Sequence, residues 1–224
     1  VNPIKTILVG LPTIDRDADV FKYVSKNLAK SSKYLLSKIP TNISLTFVAV
    51  CRKADTQIKK LWENVGVKTL IVDNYHIDGR HNFNQMAKTF NILAKKAEQY
   101  DALFILESDI LLNEKTMFML YKKLYTNHVS LAYFDVPWCD YPVTLVPGVI
   151  PKLKNADDFT KDMLILGHGT GAIMIRSEVF QDCKFSHKKI FGIDGQDVGF
   201  FMDAFKNKYK IIMINDKVKH LYNR

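Results

Sequence analysis

Residues 102–109 read ALFILESD, and the fold turns on this stretch. Five apolar residues, long enough for one buried strand, run directly into Glu107, Ser108 and Asp109. A short apolar run that stops at acids is the pattern of a central strand in an α/β sheet, with its polar end at the carboxyl edge where such sheets bind ligands.

The pattern continues on both sides. Apolar runs predict strands over 4–10, 44–50, 68–72, 102–106, 129–134 and 170–175. Two further strands are predicted over 210–214 and 218–222. Between them, apolar residues recur at helical spacing over 17–37, 56–64, 84–99, 114–126 and 197–207. In the first of these, Val20, Val24, Leu28 and Leu35 share a face; Asp55 is placed to cap the second. Strand and helix alternating in this way predict a mostly parallel sheet with helices on its faces. The stretch 135–164 has no clear period and holds Trp138, Tyr141 and four of the seven prolines. A connection of that length in a compact domain is ordinarily functional.

The totals agree with one such domain. The chain has 224 residues, 47% hydrophobic and 12% aromatic, with only 10 Gly and 7 Pro. That composition supports a core and excludes fibrous or disordered classes. The net charge of +9 favours anionic partners, although the lysines are scattered and read mainly as solvated helix faces. Three dispersed cysteines, Cys51, Cys139 and Cys183, form no CxxC pair and indicate neither a disulfide framework nor a zinc knuckle. No apolar run reaches the roughly 18–20 residues that span a bilayer, and no signal peptide is read at the start. The expectation is therefore a reducing, cytoplasmic setting. The chain begins at Val1 rather than Met and ends four residues after His220, so a longer natural protein with a downstream domain is also expected.

Five groups of residues are candidates for chemistry. Glu107 and Asp109 offer carboxylate oxygens at a strand end, suited to Mg²⁺ or Mn²⁺ shared with substrate phosphates; the bland alternative is a helix-capping acid. Asp194 and Asp197 flank Gly195-Gln196 at the start of an amphipathic helix, where an acid is ordinarily a cap but can also serve as general base toward an alcohol. His220, in a short terminal run, is a ligand type for Mn²⁺. Arg80, at a predicted helix start, suits a diphosphate. The glycines around Thr170 (GHGTGA, 167–172) permit close backbone approach to a ligand. Their spacing is GxGxG and they open a strand, so they are not a dinucleotide fingerprint. P-loop, nucleophile-elbow and HExxH motifs are absent from the sequence.

In order, these pieces resemble family 2 and related inverting GT-A glycosyltransferases. The resemblance rests on GLPT (10–13), GRHN (79–82) with the following FNQMAKTFNILAKKA, DALFILESDILLN (101–113), GHGTGAIMIRSEVF (167–180), GIDGQDVGFFMDAFKNKYKI (192–211) and VKHLY (218–222). It covers nearly the whole chain. It implies a GT-A, Rossmann-like α/β fold with a small antiparallel portion towards the C-terminal part. Residues 1–110 would form the nucleotide-binding half and 111–224 the acceptor and catalytic half.

By resemblance, Asp109 and His220 bind Mn²⁺ or Mg²⁺, and Glu107 contacts the ribose or the metal. Asp197 is the general base, with Asp194 the second candidate. Pro12, Thr13, Arg80 and Ser108 line the nucleotide-sugar pocket, Asp55 is a candidate for reading the base, and Gly169, Thr170 and Gly171 approach the sugar. Apart from the resemblance, Trp138 and Tyr141 in the irregular stretch are expected to stack on the acceptor sugar. The implied partners are a nucleoside-diphosphate sugar and a glycan or glycoconjugate acceptor, with no nucleic acid. Two positions depart from the family pattern: Glu107 opens the DxD-type motif, and Gln196 stands where the ED-type motif has Glu.

Two alternatives remain at this level. A metal-dependent nucleotidyltransferase would share the carboxylates, but the loop LPTIDRDAD (11–19) lacks the glycine-rich, basic character of that class. A non-catalytic glycan- or nucleic-acid-binding module would use the positive charge, but Glu107, Asp109, Asp194 and Asp197 would repel phosphate unless a metal intervened.

Overall fold

A computed structural model describes residues 3–39, 43–73, 83–133, 144–146, 152–154, 161–167, 169–190 and 193–221. Arg80, Trp138, Tyr141 and His168 lie outside the described residues. The strands are β1 (Thr6–Pro12), β2 (Ser44–Arg52), β3 (Lys68–Val72), β4 (Ala102–Leu106), β5 (Ile110–Leu111), β6 (Val129–Tyr133), β7 (Thr144–Val146), β8 (Lys152–Lys154), β9 (Met163–Ile165), β10 (Ala172–Arg176), β11 (Lys188–Ile190), β12 (Ile193–Gly195), β13 (Ile211–Lys217) and β14 (Lys219–His220). The helices are α1 (Phe21–Lys38), α2 (Thr56–Asn64), α3 (Phe83–Ala97), α4 (Thr116–Lys123) and α5 (Val198–Lys206).

Eight strands form one sheet in the order β3-β2-β1-β4-β10-β6-β13-β9. The β3-β2-β1-β4 half is parallel, as alternating strand and helix require. β10 then runs antiparallel between β4 and β6, and β9 pairs antiparallel with β13 at the edge. The fold is therefore the expected mostly parallel α/β sheet with an antiparallel portion in its C-terminal part.

The apolar runs in β1, β4, β6 and β10 are buried because both faces of the sheet are covered. On one face α3 and α5 pack Phe90, Leu93, Phe200 and Ala204 over Leu8, Leu103, Ile105 and Ile173. On the other, α1, α2 and α4 contribute Val24, Leu28, Trp62, Met117 and Leu120 over Ile7, Val9 and Phe104. Gly10 on β1 suits this packing: a Cβ there would meet Leu93 Cδ1 at 2.8 Å, so a side chain would force Leu93 to move. Among the described residues, no helix is long and apolar enough to cross a membrane.

Local structure differs from expectation where side chains capture the backbone. The helix expected from residue 17 instead opens as a 3₁₀ turn, Asp15–Asp19, before α1. Asp15 there accepts a hydrogen bond from the Ile58 backbone N–H at 2.8 Å, tying the turn to α2. α2 begins as expected after Asp55, but that carboxylate makes no capping bond. Within the stretch expected to be irregular, β7 pairs with β8, and β9 joins the main sheet. The hairpin of β11 with β12, and the two-residue ribbon of β5 with β14, are too short to leave a period in the sequence.

Candidate active site at the carboxyl edge of the sheet

β1, β2 and β4 end together, so the residues just beyond them share one edge. At the end of β4, the backbone N–H of Glu107 donates to the Gly171 carbonyl at 2.9 Å, keeping the acid beside the 169–171 loop. The Ile110 N–H donates to the Glu107 carbonyl at 3.2 Å, a tight turn that sends Asp109 forward and starts β5.

β5 is the device that brings in the far end of the chain. His220 pairs with Ile110 across the antiparallel ribbon, and the Leu221 N–H donates to the Asp109 carbonyl at 2.8 Å. The result is a side-chain contact of 3.4 Å between His220 Nε2 and Asp109 Oδ2. Burial, followed by the Arg16 charge, lowers the His220 imidazole to about 4, against the opposing pull of Asp17. It is therefore neutral at pH 7 and retains the lone pair that a metal ligand needs.

The second centre is Thr170. Its hydroxyl donates to Glu107 Oε1 at 2.8 Å, and its backbone N–H bonds the Asp197 carboxylate. Burial raises Glu107 to about 8; the charges of Asp109, Asp197 and Asp17 add to the shift, and the Thr170 bond opposes it. Burial likewise raises Asp197 to about 6, although its own N–H and those of Thr170 and Val198 favour the charged form. Asp197 stands at the N-cap of α5 without the side-chain capping bond that would make it a plain cap. Gly195 makes room for it, since a Cβ there would lie 2.7 Å from Asp197 Oδ1. Asp194 sits on β12 in register with Lys189.

Sequence reasoning missed Asp17 and Arg16. Asp17 is 2% exposed and accepts a hydrogen bond from Ser108 Oγ. Burial raises its carboxyl, the Asp109 charge adds to the shift, and the Ser108 and Arg16 contacts oppose it. The available signal was the dense charge of TIDRDAD directly after a buried strand. Helical periodicity had absorbed Asp17 into α1.

At the β1 and β2 ends, Pro12 pairs with Val50, and Thr13 N–H donates to the Val50 carbonyl at 3.1 Å. The Thr13 hydroxyl is buried and has no hydrogen-bond partner among the described residues. A buried hydroxyl in that condition is a natural donor or acceptor for a ligand. Asp55 is different. Its carboxylate accepts Arg52 Nε at 2.7 Å, the Arg52 N–H at 3.0 Å and the Asp15 N–H at 3.0 Å. Those contacts make Asp55 a strut between β2 and the 3₁₀ turn.

Thus Asp109 meets His220, and Glu107 meets Asp197 through Thr170, with Asp17 and Ser108 against the first pair. Among the described residues, no group of three or more His, Cys, Asp or Glu side chains has the geometry to hold a metal, so Glu107 does not complete a triad with Asp109 and His220. A groove of about 570 Å³ runs beside α3, lined by Asn84, Gln85, Lys88 and Ser186 among others, and none of these acids lines it.

The sequence matches no described protein family and no curated protein. Solved structures do match. GalNAc-T7, solved with UDP, GalNAc and Mn²⁺, has a TM-score of 0.64 at 12% identity, over 99% of this chain and 44% of that one. TarS of S. aureus (residues 1–349) gives 0.59 at 17% identity, over 96% and 60%. A mycobacterial protein gives 0.61 at 13% identity, over 98% and 68%. This chain spans less than two thirds of the GalNAc-T7 and TarS chains it matches. The likeness is one of fold, and GalNAc-T7 and TarS are GT-A glycosyltransferases: the chain has the GT-A fold.

Proposed function

We propose that the protein is a metal-dependent glycosyltransferase. It would move a sugar from a nucleoside-diphosphate sugar to a hydroxyl of a glycan or glycoconjugate acceptor, with inversion at the anomeric carbon. The observation that carries this reading is the meeting, at one sheet edge, of the Asp109–His220 pair with a buried Asp197 raised to about 6. The GT-A fold supports it, as does the presence of UDP, GalNAc and Mn²⁺ in the GalNAc-T7 structure.

Asp109 and His220 together offer an oxygen and a nitrogen ligand to a divalent ion. Asp17, Glu107, Asp109 and Asp197 crowd carboxyl groups into a buried place, and three of them are raised because their charged forms are disfavoured there, which a cation would relieve. Oxygen donors with one neutral imidazole suit Mn²⁺ and also admit Mg²⁺. Asp109 and His220 would hold the ion. When bound, it would neutralise the charge that grows on the leaving diphosphate.

The remaining work falls to the chain. Pro12, Thr13 and Arg80 in the first half would line the nucleotide pocket. Glu107 and the Gly169-Thr170-Gly171 backbone would face the sugar, with Glu107 held by the Thr170 hydroxyl. Asp197, oriented by the Thr170 and Val198 N–H groups, would take the acceptor proton as that oxygen attacks. Trp138 and Tyr141 are proposed to contact the acceptor.

The test is a thermal-shift panel of nucleoside diphosphates and nucleotide sugars with and without Mn²⁺, followed by product detection with the stabilising donor. Metal-dependent stabilisation by one nucleotide sugar is expected. Pyrophosphate release from a nucleoside triphosphate would instead make the protein a nucleotidyltransferase.

A further inference from the structure

α1 carries five lysines, Lys22, Lys26, Lys30, Lys33 and Lys38, and no acidic residue. The first four follow at intervals of four, four and three residues, which places them on one face of a helix. All four are exposed, directly opposite the buried Val24, Leu28, Ser31 and Leu35. Like charges at this spacing repel, so a merely solvated helix would be expected to intersperse acids. Elsewhere this chain does so: Lys59 pairs with Glu63 at 3.2 Å on α2, and Lys95 with Glu98 at 2.7 Å at the end of α3. Among the described residues, none of the four α1 lysines has such a partner.

The fold widens the stripe. α4 lies against α1, joined by the Met117 N–H donating to Ser31 Oγ at 3.1 Å. At their seam, Tyr34 and Phe118 meet edge to face at 5.8 Å. Lys38 lies over the Tyr34 ring at 5.4 Å and Lys122 over Phe118 at 5.5 Å, so ammonium groups from both helices share this surface. α4 too has no acidic residue of its own, and of its two lysines Lys123 is paired with Asp162 at 2.6 Å. Flanking the lysine stripe on α1 are two exposed apolar side chains, Tyr23 at 61% and Leu36 at 45%.

We propose that the α1–α4 face docks on an anionic phospholipid bilayer. The composition selects this occupant. Both helices use lysine and no arginine, as suits a diffuse anionic surface read by point charge rather than discrete phosphates read by a bidentate fork. Tyr23 and Leu36 supply side chains able to enter the headgroup boundary beside the charges. The surface lies across the sheet from α3 and α5, and the inference does not depend on the reaction proposed above.

The test is co-sedimentation with phosphatidylcholine vesicles, with and without phosphatidylserine, at low and high salt. The protein should bind the phosphatidylserine vesicles at low salt only and ignore pure phosphatidylcholine. Each lysine at an anionic surface multiplies partitioning by about five, so Lys22→Glu, Lys26→Glu, Lys30→Glu and Lys33→Glu together should reduce it by more than about a hundredfold. Reversing Lys88, Lys96, Lys184 and Lys206 on the opposite side matches the charge change and should have a far smaller effect. Should the fourfold reversal not fold, the corresponding Lys→Gln set gives the same ordering. Absence of binding by the unaltered protein overturns the proposal, as does equal loss in both variants. Tighter, α1-lysine-dependent binding to an oligonucleotide than to the vesicles would also overturn it.

Discussion

Asp109 and His220 lie 3.4 Å apart, carboxylate to imidazole, although nearly half the chain separates them. The contact is made by the smallest sheet among the described residues, in which Ile110 faces His220. Removing either side chain tests the metal reading directly. Asp109→Ala and His220→Ala should each weaken Mn²⁺ binding by more than about 100-fold, since even groups that merely support a metal ligand are worth about 10–100-fold. Mn²⁺ titration followed by electron paramagnetic resonance, with nucleoside diphosphate present, reads this without turnover. Unchanged binding in both variants would remove the metal from the site.

His220 is delivered by a clamp farther up the chain. Asp216, beside the irregularity in β13, accepts Asn113 Nδ2 at 2.6 Å and Thr116 Oγ1 at 2.5 Å. Asn113 also donates to the Lys217 carbonyl at 3.1 Å, so Asn113 and the first residue of α4 grip the strand that leads into β14. Asp216→Ala should weaken Mn²⁺ affinity by about tenfold and lower Tm, while Asp216→Asn recovers part of both. If Tm falls but Mn²⁺ affinity holds, the clamp serves stability alone.

Asp197 provides the pH dependence. With its carboxyl raised to about 6 in the unliganded protein, the base is lost as pH falls through that value, so kcat/KM should decline on the acid side, and a bound cation should move that decline to lower pH. Asp197→Asn should reduce kcat by about 10²–10⁴-fold with donor binding retained. The stability sign runs opposite to that of a salt-bridged acid. The folded pKa lies above the ordinary 3.8, so the native state binds the proton more tightly and loses that advantage as pH rises through about 6. Denaturant titrations should show Asp197→Asn gaining on the unaltered protein between about pH 4 and about pH 7 and then holding level. A constant difference across that range would mean that Asp197 is not desolvated.

Asp55 is expected to matter for stability and not for base choice. It is 1% exposed, and its oxygens are occupied by Arg52 and the Asp15 N–H. Asp55→Ala strands a guanidinium and two backbone donors, and should cost about 3 kcal/mol by denaturant titration. The preference among nucleoside diphosphates should be the same before and after. A changed preference would restore Asp55 as a base-reading residue.

Much of the scaffold was legible beforehand because burial on both faces writes itself into consecutive residues. The predicted strands over 68–72 and 102–106 and the helix over 56–64 coincide with β3, β4 and α2. Their lengths and apolar periods follow from local rules alone. Asp17 was illegible for the same reason: a charged residue at the head of a helical pattern reads as solvated, whereas tertiary packing buries it and brings Ser108 against it across the sheet edge.

From its own order, then, the chain determined an α/β sheet with acids at a strand end, since strand and helix periods are properties of neighbours in sequence. Tertiary structure alone decided which acids act together. A two-residue ribbon places His220 on Asp109, and one threonine joins Glu107 to Asp197. Those pairings depend on how distant segments pack, and the raised carboxyls depend on how much water that packing excludes. Neither leaves a local period to read.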